Sequence, residues 1–382
     1  MIKRFSTLYV GHIELENTGL AGTPADDRRY SNARLAETFD TAIALAQAAD
    51  TLGYATLWLA EHHFQHEGYE CIPNIPLLAV DLAHRTKRVK IGCGFNIAPM
   101  WHPLRLAEDY ATADILTKGR LIFGVGRGYH TREVETFGAP MLDADANRDL
   151  FEEQVEVILK SFREESFAHK GKHYTLPPEV PYRGYTLKEL TLVPRPLHAV
   201  DVWQPIVSGS ARSLDFMARH GIKGVVSATA EQFVGQWFRD YQEAAARHGR
   251  KLELGQDLIL GFRMSLAETQ AQAMDRARPY FEEHAKVMGP LGMLRYSEEQ
   301  MKAVTTRQAQ APGGATLDKG VANRSWLCGP PRDITAYLKD AEARYPGLEE
   351  VMIAWAIGTP RALMIEQLTQ FATDVMPAFK GA

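Results

Sequence analysis

Eight short runs of β-branched and other apolar residues recur along this chain of 382 residues, and helical patterns separate nearly all of them. The strand candidates are FSTLYVGH (5–12), YATLWLA (54–60), RVKIGCGF (88–95), LIFGVG (121–126), WQPIVSG (203–209), KGVVSA (223–228), DLILGFRMSLA (257–267) and EEVMIAWAIG (349–358). Between them lie helical stretches such as residues 34–53, where Leu35, Phe39, Ile43, Ala46 and Leu52 fall near helical spacing and Gly53 supplies a stop. Parallel strands need a crossover helix between them, and eight such strands can close on themselves. The alternation therefore predicts an α/β fold, a (β/α)8 TIM barrel, with residues 1–382 as a single domain.

Two stretches break the repeat. Residues 165–204 are rich in Pro, Tyr and Lys, and residues 289–329 contain QAQAPGGATLDKG. Both are expected as insertions on the barrel loops, and the second as a long loop that closes over the active site as a lid.

Charge narrows the partners. A net charge of -4 and a pI near 6.4 give no reason to expect a nucleic-acid surface, so small molecules are the expected ligands. No stretch approaches the ~18 apolar residues of a membrane span, and MIKRFSTLYVGH lacks the apolar core of an export signal. Cys71, Cys93 and Cys328 are far apart and form no CxxC pair, which fits a reducing cytoplasm better than a disulfide framework or a zinc ribbon. The expected chain is soluble and cytoplasmic.

In a barrel, chemistry sits where strands reach their C-terminal ends. LWLAEHHF (57–64) places Glu61, His62 and His63 at such an end. Side chains alternate along a strand, so one of the two histidines faces the cavity mouth and the other packs. His63 occupies the position where an HExxH site needs glutamate, and nothing near in sequence completes a ligand set, so no metal is expected. In GRLIFGVGRGYH (119–130) the glycines do not meet the dinucleotide fingerprint, because Tyr129 stands where its third glycine belongs. They instead allow a flat ligand close to the backbone, with Arg127 as an anion clamp or as a surface ion-pair partner. PIVSGSARSLDF (205–216) runs from strand to helix through Ser208, Gly209 and Ser210, offering free amides with the Ser210 and Ser213 hydroxyls; serine capping is the plainer alternative. With Arg127 and Arg148, these residues describe a site for a phosphorylated aromatic cofactor.

Taken in order, LWLAEHHF, IGCGFNIAPMWHPLRLAEDYATADILTKGR, LIFGVGRG, SGSARSLDFMARHG, CGPPRDI and DVMPAFK resemble the bacterial luciferase-like flavin-dependent monooxygenases over almost the whole chain. The resemblance implies FMN, reduced by a separate flavin reductase and used with O2 to oxygenate a small apolar organic substrate. It implies His62 as the catalytic histidine, with Glu61 orienting a histidine. It implies Arg127 and Arg148 on the phosphate, with Gly209, Ser210 and Ser213, and a non-proline cis peptide at Gly94-Phe95 under the flavin ring. It also implies a homodimer formed through helices near the first strands. The reactive cysteine of some luciferase subunits is Gly126 here, so light emission is not implied. A deazaflavin-dependent hydride transferase on the same barrel, a flavin-binding protein without turnover and a metal-dependent hydrolase are the alternatives. Phe64, Phe95, Trp101, Tyr129 and His130 are the candidate substrate-pocket residues.

Overall fold

Eight parallel strands form: β1 (Arg4–Tyr9), β2 (Thr56–Leu59), β3 (Lys90–Cys93), β4 (Leu121–Gly126), β5 (Val202–Pro205), β6 (Lys223–Ser227), β7 (Leu258–Leu266) and β8 (Glu350–Ala354). Each pairs with its sequence neighbour, and β8 returns to β1 through Arg4 opposite Glu350, closing a (β/α)8 barrel. The computed structural model describes residues 1–379; Lys380, the last residue of DVMPAFK, and the end of the expected domain at 382 lie outside the described residues.

The strands hold because alternate residues meet two different apolar layers. In β2, Leu57 and Leu59 pack outward with the helices, while Trp58 turns inward to join Trp203, Val225, Ile259 and Met352 in the barrel interior. Trp58 meets Trp203 edge to face at 5.8 Å between ring centroids. That layer floors the barrel, so the cavity above it opens at the C-terminal strand ends.

Local signals set most boundaries. Helix Asn32–Leu52 is capped by Ser31, whose hydroxyl accepts from the Arg34 amide, and stops at Gly53 in the left-handed conformation. Its buried face is Thr38, Thr41, Ala42, Leu45, Ala46 and Ala49, so Phe39 and part of the expected apolar stripe point outward. Helix Pro103–Thr117 spans PLRLAEDYATADILT between β3 and β4.

The two insertions need correction. Residues 165–204 carry two small hairpins, His169–Lys170 with Thr175–Leu176 and Pro181–Tyr182 with Tyr185–Thr186, and their last three residues already belong to β5. Residues 289–329 are not an unstructured loop. They hold helices Glu298–Thr306 and Leu317–Ala322 and a strand, Trp326–Gly329, that pairs with β7 from Arg263 to Leu266. β7 is nine residues long and outruns the barrel, leaving an edge for that strand to cover. Among the described residues no helix is long and apolar enough to cross a membrane, and Cys71, Cys93 and Cys328 are free thiols.

Candidate active site

A cavity of about 590 Å³ opens at the C-terminal ends of the strands. The nine residues that the resemblance implies for catalysis and cofactor binding, Glu61, His62, Gly94, Phe95, Arg127, Arg148, Gly209, Ser210 and Ser213, all line it.

Three arginines line the cavity without an ion-pair contact among the described residues, Glu152 acting on Arg127 and Arg148 only from a distance. Arg127 follows β4, and Arg148 lies in the first turns of helix Ala144–Arg163. Arg307, which no local motif marks, comes from the end of helix Glu298–Thr306. Among the described residues none of the three has a carboxylate within ion-pair distance. Arg127 donates to Asn147 Oδ1 at 3.2 Å, and Arg307 donates to the same oxygen at 3.2 Å and to the Met141 carbonyl. Burial, then the charges of Arg148 and Arg307, bring Arg127 down to about 9. Arg148 and Arg307 are lowered too, burial being the first cause for each. Such a cluster is poised for a dianion.

The start of helix Ala211–His220 lines the same cavity. Ser210 occupies the cap position, yet its hydroxyl does not bond the helix amides and is buried without a partner, as is Gln204 Oε1. The plain capping alternative is therefore not what the structure shows. Gly209 has φ +59°, and a Cβ there would lie 2.2 Å from Trp237 Nε1, so glycine alone brings this turn against the wall. The free amides, the unbonded hydroxyl and three unpaired guanidinium groups fit the phosphate of FMN.

Gly94-Phe95, which also lines the cavity, is joined by a non-proline cis peptide bond. Gly124 is needed by its neighbour strand rather than by a ligand: a Cβ would sit 1.8 Å from the Cys93 carbonyl oxygen. Gly126 and Gly128 are the glycines of that run that reach the cavity.

His62 is 4% exposed and held at both nitrogens. Nδ1 lies 3.3 Å from each carboxylate oxygen of Glu133; Nε2 lies 3.1 Å from the Tyr129 hydroxyl and 3.3 Å from Glu70 Oε1. The Tyr129 hydroxyl donates to Glu70 at 2.7 Å, and Gln65 Nε2 donates to Glu133 at 2.7 Å. Burial opposes a charge on His62, but Glu70 and Glu133 outweigh it and push the imidazole up to about 9. Glu133 falls to about 2, because the attraction of His62 overcomes its burial. At neutral pH the group is an imidazolium between two carboxylates. Glu61, which accepts from His63 Nε2 at 3.1 Å, the Ile97 amide at 2.8 Å and Trp101 Nε1 at 2.7 Å, orients His63 and not His62. His63 itself packs edge-on against Phe137 and does not line the cavity.

Three pocket candidates are displaced. Phe64 is 49% exposed and stacks on Phe137, Trp101 is spent on Glu61, and His130 is buried, with Nε2 at 2.9 Å from Glu70. Phe95 and Tyr129 do line the cavity. No local signal in the chain marks Glu70 and His130 as neighbours of His62, yet their ligating atoms all lie within 4.8 Å of one another, as a metal site requires. In the structure these atoms are joined through hydrogen bonds that also take in Tyr129 and Glu133.

A family model described as luciferase-like monooxygenase matches residues 18–347. The oxygenase component of the flavin-dependent trigonelline monooxygenase of Acinetobacter baylyi is 30% identical over 187 residues, covering 48% of this chain and 47% of that protein. Limonene 1,2-monooxygenase of Rhodococcus erythropolis is 25% identical over 352 residues, 89% of this chain and 81% of that one. Other curated relatives are matched over 39% to 64% of their own length, so the chain spans about half of several proteins it resembles. Among solved structures, the oxygenating constituent of 3,6-diketocamphane monooxygenase of Pseudomonas putida, in complex with FMN, superposes with a TM-score of 0.75 at 20% identity, covering 99% of each chain. At that identity the likeness is one of fold.

Proposed function

This chain belongs to the luciferase-like monooxygenase family, and from that premise we propose that it is the oxygenase component of a two-component system. It binds FMN that a separate reductase has reduced, and it oxygenates a small organic substrate with O2. The observation that carries this reading is one cavity lined both by three arginines lacking carboxylate partners and by a buried imidazolium.

Bound FMN would supply the electrons that activate oxygen. Arg127, Arg148 and Arg307 would hold its phosphate, with the amides after Gly209 and the Ser210 and Ser213 hydroxyls. The backbone at Gly94-Phe95 and Gly126 would bear the ring. His62 holds a proton at Nε2, hydrogen-bonded toward Tyr129, where it can be given to a developing anion; Glu133 and Glu70 keep it in place between turnovers. Glu61 acts as a positioning residue, through its bond to the Ile97 amide beside the Gly94-Phe95 turn. Residues 290–293, 295–296 and 304–307 of the 289–329 segment line the cavity, and their opening would admit substrate. The exposed apolar side chains Phe39, Leu77 and Leu116, on the helices after β1, β2 and β3, support a homodimer.

Flavin fluorescence titration should give tighter binding of FMN than of riboflavin. With a supplied reductase and NADH, labelled O2 should appear in a product drawn from a panel of small apolar compounds. Binding with no labelled product from any of them would count against a monooxygenase.

A further inference from the structure

The cavity carries a second cationic cluster that the phosphate site leaves unused. Arg263 stands in β7, and Arg295 precedes helix Glu298–Thr306; both line the cavity. Among the described residues neither has a carboxylate within ion-pair distance. Arg263 makes no hydrogen bond there, and its Nε and that of Arg295 are buried without partners. Arg295 spends one Nη2 bond on the Ser227 carbonyl at 2.6 Å. His284, 3% exposed and also facing the cavity, is held neutral by burial and by the two arginines, and its Nδ1 is unpartnered. Glu70 is the carboxylate acting on Arg263, but Tyr129 and His130 already engage it at 2.7 and 2.9 Å.

This cluster is separate from the phosphate arginines. Arg127 feels Arg148, Arg307 and Arg212, whereas Arg295 feels Arg263. Unpaired buried charge is costly unless a partner arrives. The same cavity is lined by the apolar side chains Met288, Leu291, Met293, Trp355 and Ile357.

Resting on the flavin-monooxygenase reading, we propose that Arg263 and Arg295 bind a carboxylate of the organic substrate. The substrate class is then an apolar acid, its body against the methionine, leucine and tryptophan wall and its carboxylate oxygens accepting from the two guanidinium groups. Planar guanidinium forks match carboxylate geometry, and a neutral amide of the same shape offers them no counter-charge.

The test is calorimetric titration of the chain, with and without FMN, using benzoate and octanoate against benzamide and octanamide, with inorganic phosphate as a further arm. At least one acid should bind roughly tenfold or more tighter than its amide, as expected for charge-assisted bonds. Arg263→Gln and Arg295→Gln, on separate elements, should each remove most of that preference while FMN affinity stays within about twofold. Arg263→Lys, which keeps the charge, should retain part of it. Equal binding of acids and amides overturns the proposal, as does a preference that survives the double Gln variant. With FMN filling the phosphate site, phosphate binding more tightly than either acid, or FMN affinity falling as far as acid affinity in the Gln variants, overturns it too. Failure of the wild-type chain to bind FMN would sink the flavin reading alone, since the acid preference is read on the FMN-free chain as well.

Discussion

Arg127→Met should act in opposite directions on flavin binding and on stability. The side chain sits with Arg148 and Arg307 and has no carboxylate partner, so in the flavin-free chain its charge is a cost. Burial and the neighbouring guanidinium groups bring its pKa well below the usual arginine range, to about 9, a cost on the order of several kcal/mol at ~1.36 kcal/mol per unit of pH. Burial heads that cost, and solvent reaching through the cavity mouth softens it, so removal should return about 1–2 kcal/mol. The sign follows from linkage: a cation whose folded pKa lies below its unfolded value costs stability wherever it is charged, here at every pH below about 9. For FMN the same residue supplies charge-assisted bonds to the phosphate, worth about 1.5–3 kcal/mol, or roughly 10- to 150-fold in affinity. Riboflavin lacks the phosphate and should bind the variant as well as the wild type. Fluorescence titration of both flavins and thermal unfolding without flavin read the two effects. Equal losses for FMN and riboflavin would refute the clamp, and a lower Tm in the flavin-free variant would refute the repulsion argument.

The remaining predictions concern the buried network and the phosphate turn. His62 titrates near 9 in the folded chain against the ordinary histidine value of 6.5, so its contribution to stability is complete below about 6.5 and fades as pH rises through about 9. Tm of the wild type should therefore fall more steeply than that of His62→Gln between those two pH values, and parallel curves would contradict the ion pairs. Glu133→Gln should lower the pH at which His62 loses its proton toward the ordinary histidine value, with Glu133→Asp restoring part of the shift; NMR titration of the ring reads this directly, and an unmoved midpoint would show that Glu133 does not hold the charge. Gly209→Ala forces a Cβ to 2.2 Å from Trp237 Nε1 at φ +59° and should cost roughly 1–3 kcal/mol. An unchanged denaturation midpoint would contradict that geometry.

Which parts of the site can be read along the chain follows from how each is encoded. Arg127 and Gly209 lie in short strand-to-helix runs, LIFGVGRG and SGSARSLDF, whose glycine and serine spacing is local. Glu133 is 71 residues from His62, and Glu70, Arg263, Arg295 and Arg307 lie in stretches with no motif of their own. Their meeting is a product of closure, and so is the charge on His62. Read locally, that histidine has an ordinary pKa, and the two carboxylates brought to it by folding push it up to about 9.

The barrel itself is written along the chain. LIFGVG and PLRLAEDYATADILT run to the same limits as β4 and helix Pro103–Thr117, because strand and helix periods are carried by consecutive residues. What residues 289–329 become is settled by packing instead. Their helices are short, and Trp326–Gly329 is a strand only because β7 outruns the barrel and leaves an edge to pair with. Periodicity is a local property of the chain, whereas a paired edge, an unpartnered guanidinium and a raised imidazole pKa depend on which distant residues arrive beside them.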